Sequence, residues 1–434
     1  MELFHRPRSS LTTALARARR VVDGETGIVK LLHEAPIAPD APQIFGCGAL
    51  CSDFGTLGFP SESDVSGSTS VVRAQAIVAA VGEAVERYSA AYVAYERLVY
   101  DTPDALAAAK IEPESVVLYD DRQYVRPNFV FQPFDRRRVI GWIEGRALVS
   151  GQAVLVPAFA VFQPYVSQIG EAGAIQQVTT GLACGTTLED AVLSGLCEVV
   201  ERDAAMLAWL QRRRLPKLDT AALPAGLARI TLERFGGLAG NVTLLDATTD
   251  IGIPVYIAVW QGSMLGARRA LFCSCAKPNA DLAAAGALRE LAQCMMWAES
   301  LIDGGRHLPD PMTDPITEIE QHVLWPLRPD LHDRYAFLLE SDELVPLHAN
   351  VLDGDCDALD LIDGCARRLQ RCGLGAIAVD VTSPDIAEAG FHVARVVVPG
   401  AQPLFFGSGL ERLSPRALAG GDPAALNLHP HPFP

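Results

Sequence analysis

The feature that most restricts how this chain can fold is a short motif that occurs twice. The segment "EAVERY" at residues 83–88 returns as "EVVERD" at residues 198–203, and the flanking residues align without a gap. Residues three and four positions apart share one helix face, so each copy gathers two carboxylates and an arginine in one patch. Apolar runs, "AIVAAVG" and "AVLSGLC", precede the patches. Because buried acids need partners, we expect both helices to turn their acids toward an internal cavity.

A degenerate third copy lies farther along the chain. "AAAGALRELAQC" fits the same frame, with Glu290 at the first acidic position, Gln293 at the second and Cys294 in place of the arginine. A single copy is typical of a salt bridge on a solvated helix face, but repetition in register favours acids that converge on hard cations. Magnesium prefers carboxylate oxygens and commonly joins protein acids to substrate phosphates, so the repeats predict a magnesium site. Its expected metal ligands are the acids of the first two copies, Glu83, Glu86, Glu198 and Glu201.

Composition restricts the ligand that such a site could serve. The 434 residues carry 36 Lys and Arg against 52 Asp and Glu, a net charge of −16, which argues against general binding to nucleic acid or to an anionic membrane. A polyanionic ligand would need a metal or a few well-placed cations. The chain lacks the P-loop, Rossmann and kinase glycine patterns, so a nucleotide site in it would be unconventional.

No targeting or membrane-spanning segment is evident in the sequence. The first residues, "MELFHRPRSS", lack the pattern of a signal peptide, and no run of about 18 apolar residues occurs. These features predict a cytoplasmic protein, and the ten cysteines are interpreted as reduced thiols rather than as a disulfide framework. We assign no metal to the close pairs Cys47/Cys51 and Cys273/Cys275, because neither has a second pair with the spacing of a zinc site.

The periodicity of the sequence indicates a mixed α/β or α+β fold. Four segments have helical period, namely residues 71–93, 188–213, 281–303 and 357–372. Ser70 and Thr187 are the expected N-caps of the first two. Runs rich in β-branched and aromatic residues predict strands: "GNVTLLDAT", "IPVYIAVWQ", "RALFCSCA", "GAIAVDVT" and "FHVARVVVPG". The Pro-rich residues 306–330 are expected to form a long excursion on the surface.

The sequence closes with an unusual segment, "NLHPHPFP". It places prolines at three alternate positions, Pro430, Pro432 and Pro434. Proline at this spacing excludes a helix and favours an extended, polyproline-like tail. His429 and His431 each precede one of these prolines, and we expect both to be solvated rather than to bind a metal.

Three longer segments carry a family resemblance. "SGSTSVVRAQAIVAAVGEAVERYSA" and "TGLACGTTLEDAVLSGLCEVVERDA" resemble the two signature segments of the YcaO family, and "DVTSPDIAEAGFHVARVVVPG" is similar to a late strand region of that family. The similarity extends over residues 45–413. It implies an N-terminal extension at residues 1–44, a YcaO domain at residues 45–413 and a C-terminal tail at residues 414–434 that ends in PxPxP.

The resemblance also implies a YcaO-type fold whose sheets and helices enclose an internal cavity for Mg²⁺ and ATP. The residues at matching positions are Glu83, Glu86, Arg87, Ser194, Glu198, Glu201, Arg202, Glu290 and Gln293. They include the acids that the helix pattern alone had singled out. The sequence departs from the family pattern in two places: Cys294 and Met295 follow Gln293 where members usually carry an arginine, and "SGSTS" stands where many carry Gly-Lys-Gly.

The implied activity is ATP-dependent cyclodehydration of a ribosomal precursor peptide. In members of the family, a Cys, Ser or Thr side chain adds to the preceding backbone carbonyl, and ATP then phosphorylates the former carbonyl oxygen. Elimination of phosphate leaves a thiazoline or a (methyl)oxazoline. The PxPxP ending is similar to that of the azoline-forming cyclodehydratases, the D-proteins, whose terminal carboxylate reaches the active site. Pro434 is therefore the expected catalytic base.

Partners and alternatives follow from the same resemblance. Only about 45 residues precede the region of similarity, which begins at residue 45, fewer than the roughly 80 of a peptide-binding winged-helix module. A separate E1-like or ThiF-like leader-binding protein is therefore expected, in a homodimer or larger complex, with a flavin-dependent dehydrogenase as a further candidate partner. Two alternatives stay open: a YcaO enzyme that forms a thioamide or an amidine, and a non-catalytic YcaO-like scaffold subunit of a synthetase complex.

Overall fold

The computed structural model describes residues 10–39, 41–57, 65–171, 173–238, 240–264 and 267–434. The strands in these ranges are β1 Val29–Ala35, β2 Phe45–Cys51, β3 Val65–Ser70, β4 Val99–Asp101, β5 Ile140–Ala147, β6 Ala153–Pro157, β7 Leu182–Gly185, β8 Lys217–Leu218, β9 Gly240–Asp246, β10 Val255–Met264, β11 Ala267–Ala276, β12 Leu344–Val345, β13 Ile377–Asp380 and β14 His392–Val397. The α-helices are α1 Leu11–Ala18, α2 Arg73–Ala91, α3 Glu114–Val117, α4 Asp121–Tyr124, α5 Leu188–Leu210, α6 Leu227–Glu233, α7 Ala280–Asp303, α8 Ile319–Leu324, α9 Ala358–Arg371, α10 Pro384–Ala389 and α11 Pro415–Leu418. Across these ranges no helix combines the length and the apolar character needed to cross a bilayer.

Over the described residues the strands form three sheets. β1, β2 and β3 make the first sheet, and β11, β10, β9, β8 and β12 make the second. β4, β5, β13, β14 and β7 make the third, to which β6 adds by pairing with β5. Every strand run predicted from the sequence lies in the second or third sheet, which confirms the mixed α/β class.

Each of the three helices that carry a copy of the repeat covers a sheet. α2 packs on β2 and β3, α5 on β7 and β14, and α7 on β10 and β11. Each helix lies in its own apolar cluster of buried side chains. Gly286 lets α7 approach β11 closely, because a methyl group there would overlap the sulfur of Cys275. Because the apolar face of each helix packs on a sheet, its acidic face points to a common interior space.

The helix starts confirm one predicted cap and correct the other. Thr187 caps α5, and its hydroxyl oxygen accepts the N–H of Asp190 at 3.1 Å. Ser70 does not cap α2, since Val72 holds the cap position and offers no side-chain acceptor. Ser70 is instead the last residue of β3, where it pairs with Phe45. The prediction was wrong because this long-range pairing extends the strand to within two residues of the helix.

The predicted surface excursion at residues 306–330 is also wrong for its second half. Residues 322–327, the second half of α8 and the turn after it, are buried, and the Trp325 ring, which is 1% exposed, lies 6.1 Å from the ring of Trp209 on α5. Burial of the apolar side chains in "HVLWPL" keeps this segment in the core although prolines surround it. Pro326 sits near the start of a short 3₁₀ turn, where its missing N–H leaves no hydrogen bond unmade.

A buried ion pair ties α5 to the segment that leads to the tail. Asp203 is fully buried and accepts hydrogen bonds from Arg416 Nε at 3.0 Å and from the Gln402 backbone N–H at 2.8 Å. We expect Asp203→Asn to lower the free energy of unfolding by about 2–4 kcal/mol, because it removes the charge that compensates a largely buried guanidinium. Urea unfolding measures the change. Asp250→Asn removes an exposed partner of the same arginine and should cost less than about 1 kcal/mol; equal losses in the two variants would contradict the expectation.

Candidate active site

The structure brings all ten residues predicted from the sequence to one cavity of about 520 Å³ between α2, α5 and α7. They are Glu83, Glu86 and Arg87 from α2, Ser194, Glu198, Glu201 and Arg202 from α5, Glu290 and Gln293 from α7, and Pro434 from the tail. Helix spacing places the members of each copy on one face, and the packing of three helices on three sheets brings the faces together. Segments more than 200 residues apart in the sequence therefore share one polar interior.

On the α2 side, the backbone of β3 holds one acid and one amide of the cavity. The N–H of Gly67 donates to Glu83 Oε2 at 3.1 Å, and Gln293 Nε2 donates to the Gly67 carbonyl oxygen at 2.9 Å. Arg87 Nη2 lies 3.4 Å from Glu83 Oε1, one helical turn away. A strand residue thus fixes one side chain from α2 and one from α7.

On the α5 side, both acids have a partner from a neighbouring element. The N–H of Gly181 donates to Glu198 Oε2 at 3.1 Å. Glu201 accepts from the Ser274 hydroxyl at 2.8 Å and from the Ala276 N–H at 3.3 Å. Arg202 Nε lies 3.9 Å from a carboxylate oxygen of each acid. These bonds fix the orientation of both carboxylates without neutralising them.

Burial disfavours the ionised acids in the cavity. It raises the pKa of the four glutamates that α2 and α5 contribute to the cavity, that of Glu201 to about 7. The pKa of Glu86 is raised well above its usual value by burial and by the negative charge of Glu198. Acids crowded in this way are stabilised by any cation that enters, so the cavity has the electrostatics of a cation site.

The donor chemistry of the cavity fits a hard cation. Carboxylate oxygens are the ligands that Mg²⁺ prefers, and Mg²⁺ commonly keeps waters and substrate oxygens among its ligands. Among the residues that the structure describes, no three His, Cys, Asp or Glu side chains lie close enough together to hold a metal ion by themselves. The carboxylate donors suit an ion whose coordination is completed by water and by an oxygen-rich ligand.

Sequence reasoning missed two cations that line the cavity, Lys277 and Arg289. Within the described part of the chain, neither cationic group forms an ion pair with a carboxylate. Arg289 directly precedes Glu290, so a search on both sides of the third acid would have found it. Lys277 follows the end of β11, and no local pattern marks it. Cys294, at the position where the repeat has arginine, is buried in the apolar cluster around α7.

The tail runs into the protein rather than over its surface. Pro434 reaches the cavity, where Arg202 Nη1 donates to the backbone oxygen of Pro434 at 2.7 Å. The expectation that the tail histidines are solvated is wrong: His431 is fully buried, as is Phe433, and His429 is half-buried. An extended chain directs alternate side chains to the same side, and here residues 431 and 433 occupy the core together.

The fold and the cavity define a class of protein, a mixed α/β chain in which acids and arginines from three helices converge on one internal site. A family model described as "YcaO cyclodehydratase", ATP- and Mg²⁺-binding, matches residues 69–402, and the chain belongs to this YcaO family. The matched range contains the nine helix-borne residues of the site. The family assignment made from the repeated motif is confirmed.

Relatives and solved structures agree with the family. An uncharacterized protein of Methanothermobacter thermautotrophicus is 28% identical over 337 residues, which are 76% of this chain and 79% of that protein. Among solved structures, a heterocyclase in complex with substrate and cofactor matches with a TM-score of 0.82 at 22% identity, over 100% of this chain and 59% of its own. The chain therefore spans little more than half the length of that heterocyclase.

Two further structures share the fold over most of both chains. YcaO from Methanopyrus kandleri, bound with AMPPCP and Mg²⁺, matches with a TM-score of 0.64 at 23% identity over 91% of each chain. A chain of the E. coli microcin synthetase McbBCD complex matches with a TM-score of 0.64 at 15% identity, over 93% of this chain and 96% of its own. At these identities the likeness shows the YcaO-type fold, as expected from the sequence.

Proposed function

We propose that the protein is an ATP-dependent azoline-forming cyclodehydratase. Its substrate would be a ribosomal precursor peptide, in which it would convert Cys, Ser or Thr residues into thiazolines or (methyl)oxazolines. The observation that carries the proposal is the cavity in which all three copies of the repeat meet the end of the tail. Membership of a family described as cyclodehydratases that bind ATP and Mg²⁺ supports it.

The helix-borne acids are proposed to hold the metal. Its ligands would be drawn from Glu83, Glu86, Glu198 and Glu201, with Ser194, Glu290 and Gln293 lining the same space. When bound, Mg²⁺ and ATP supply the phosphoryl group that turns a backbone amide oxygen into a leaving group. The N–H groups of Gly67 and Gly181 keep two of the carboxylates oriented before the ligands arrive.

The cations of the cavity are proposed to divide into two pairs. Arg87 and Arg202 lie beside the acids of their own helices, and we assign them to orienting those acids and to contacting phosphate oxygens at the edge of the site. Lys277 and Arg289 have no carboxylate partner within the described residues. We assign this second pair to the phosphate oxygens, because an unpaired cation gains most from an anionic ligand.

The carboxylate of Pro434 is proposed as the general base. It would accept the proton of the substrate thiol or hydroxyl as the sulfur or oxygen attacks the preceding carbonyl carbon. Arg202 supports this role, since its hydrogen bond to Pro434 fixes the end of the tail at the cavity. The stiffness of the alternate prolines limits the entropy that is lost in placing this group.

Precursor recognition is proposed to depend on other proteins. One structural neighbour is part of the McbBCD synthetase complex, and by analogy we propose an E1-like or ThiF-like partner that binds the leader, a homodimer or larger assembly, and a flavin-dependent dehydrogenase for later oxidation. The proposed parts of the chain are the extension at residues 1–44, the YcaO domain at 45–413 and the tail at 414–434. Part of the extension, β1, pairs with β2.

Mass spectrometry of a candidate precursor peptide tests the proposed function. We expect the protein, together with the candidate leader-binding partner, to remove one water per ring in a reaction that requires ATP and Mg²⁺ and releases phosphate. The controls omit ATP or add EDTA. A mass gain that matches replacement of oxygen by sulfur would replace the proposal with thioamide formation, and ATP binding without any change in the peptide would favour the scaffold.

A further inference from the structure

Two buried histidines join the tail to α8. The rings of His322 and His431 stack with their centroids 4.2 Å apart and an angle of 26° between their planes. Both side chains are buried. Neither lines the large cavity, so the chemistry proposed there does not account for them.

Hydrogen bonds define the protonation state of each ring. One nitrogen of each ring donates to a backbone carbonyl oxygen. His322 Nδ1 donates to the carbonyl oxygen of His431, and His431 Nε2 donates to that of Phe405, both at 2.7 Å. Backbone N–H groups donate to the other nitrogens, that of Gly407 to His322 Nε2 at 3.2 Å and that of Phe433 to His431 Nδ1 at 3.3 Å. A carbonyl can only accept and a backbone N–H can only donate. Each ring therefore carries a single proton, on Nδ1 in His322 and on Nε2 in His431, and is neutral.

We propose that this neutral histidine pair positions the end of the tail at the cavity. His322 and His431 would then be positioning residues for the reaction, a role that rests on the proposed function of Pro434. The contacts by which the histidine pair fixes the tail do not depend on that function. Protonation of either ring would release the tail and stop ring formation.

The pair acts directly on the last residues of the sequence. His431 lies three residues before Pro434, and its Nδ1 holds the N–H of Phe433. The His431 carbonyl oxygen is in turn held by His322 Nδ1 and by Trp325 Nε1 at 3.3 Å. Terminal segments without such contacts fray. Loss of the pair would therefore withdraw Pro434 from Arg202.

Protonation would oppose each of these contacts. A second proton on His322 would sit on Nε2 and face the N–H of Gly407. A second proton on His431 would sit on Nδ1 and face the N–H of Phe433. If both rings were charged, they would also repel each other. Burial lowers the pKa of His322 to about 4. Burial, followed by the charge that His322 would carry if it were protonated and by the positive charge of Arg202, lowers the pKa of His431 well below its usual value. A histidine whose pKa is lower in the folded state contributes its full stability above about pH 6.5 and loses it as the pH falls toward the folded pKa.

Two amide variants of His322 separate the bond to the tail from the rest of the pair. The amide of His322→Asn reaches the position of Nδ1 and can still donate to the His431 carbonyl oxygen, whereas the amide of His322→Gln reaches the position of Nε2, near Gly407. Both variants lose the ring stack. We expect ring formation to stay within about threefold of wild type in His322→Asn and to fall about tenfold to a hundredfold in His322→Gln, which leaves the tail carbonyl without its donor.

Amide hydrogen exchange of residues 427–434 reads the position of the tail independently of activity. In the wild type, protection relative to intrinsic exchange should be full near pH 8 and should fall below about pH 6.5. His322→Gln should lack this protection even near pH 8, while His33→Asn, which alters an exposed histidine on β1, should match the wild type.

Either of two outcomes would overturn the inference: equal tail protection in the two His322 variants, or wild-type protection that is unchanged between about pH 8 and pH 5. If the wild type forms no rings with any precursor, the proposed function fails, and hydrogen exchange still decides whether the pair holds the tail.

Discussion

Deletion of Pro434 alone is expected to slow ring formation by about 10²–10⁴-fold while ATP binding is retained, because the deletion removes the proposed general base. The new chain end at Phe433 would lie about 3.3 Å back along an extended backbone, out of contact with Arg202. The acids on the three helices are untouched, so Mg²⁺ and nucleotide should bind as before. Ring formation is measured as ATP-dependent loss of water from the peptide, and ATP binding by calorimetry.

Pro434→Ala is the matched control for this deletion. It keeps the chain end in place and should retain most of the activity. Removing all of residues 430–434 would be a poorer experiment, because His431 and Phe433 are buried in the core and their loss would mix unfolding with loss of the base. Wild-type rates after deletion of Pro434 alone would exclude it as the base.

The acids of the candidate site could be found from the sequence because helix geometry is local. Glu83 and Glu86 share a helix face whatever surrounds them, and the apolar residues before them indicate that this face looks inward. Even the degenerate third copy was informative. Its register on α7 is set by an alanine-rich face that packs against β11, and this packing turns Glu290 and Gln293 toward the cavity.

The errors arose where contacts between distant segments decide the structure. Ser70 is a good cap by its chemistry, but its pairing with Phe45 keeps it in a strand. Trp325 and His431 belong to Pro-rich segments that look exposed, yet both side chains are buried. Trp325 packs on Trp209 of α5 and donates to the His431 carbonyl oxygen, so residues about 100 positions apart in the sequence bury each other. Lys277 lines the cavity because β11 ends there, which no pattern around the residue could reveal.

The acid Glu201 illustrates how the site opposes stability. It is 9% exposed, and although Ser274 and Ala276 donate to it, burial raises its pKa to about 7. An acid whose folded pKa is raised destabilises the fold when ionised. This cost is full above the folded pKa and disappears as the pH falls below the unfolded value of about 4.3. A buried carboxylate that lowers the stability of the fold is expected where function requires it, here to bind a cation.

Glu201→Gln is therefore expected to change activity and stability in opposite directions. Replacing a proposed Mg²⁺ ligand with a neutral amide should lower Mg²⁺-dependent ATP turnover by about 10²-fold or more, and Mg-ATP should no longer raise the melting temperature as it does for the wild type. In EDTA near pH 8, the ligand-free variant should be more stable by about 1–2 kcal/mol, because it removes a buried charge at the loss of one hydrogen bond. Glu233→Gln, on the exposed side of α6, should alter neither quantity. Normal turnover in the Glu201 variant would remove this acid from the metal site, and a loss of stability in EDTA would show that its charge serves the fold instead.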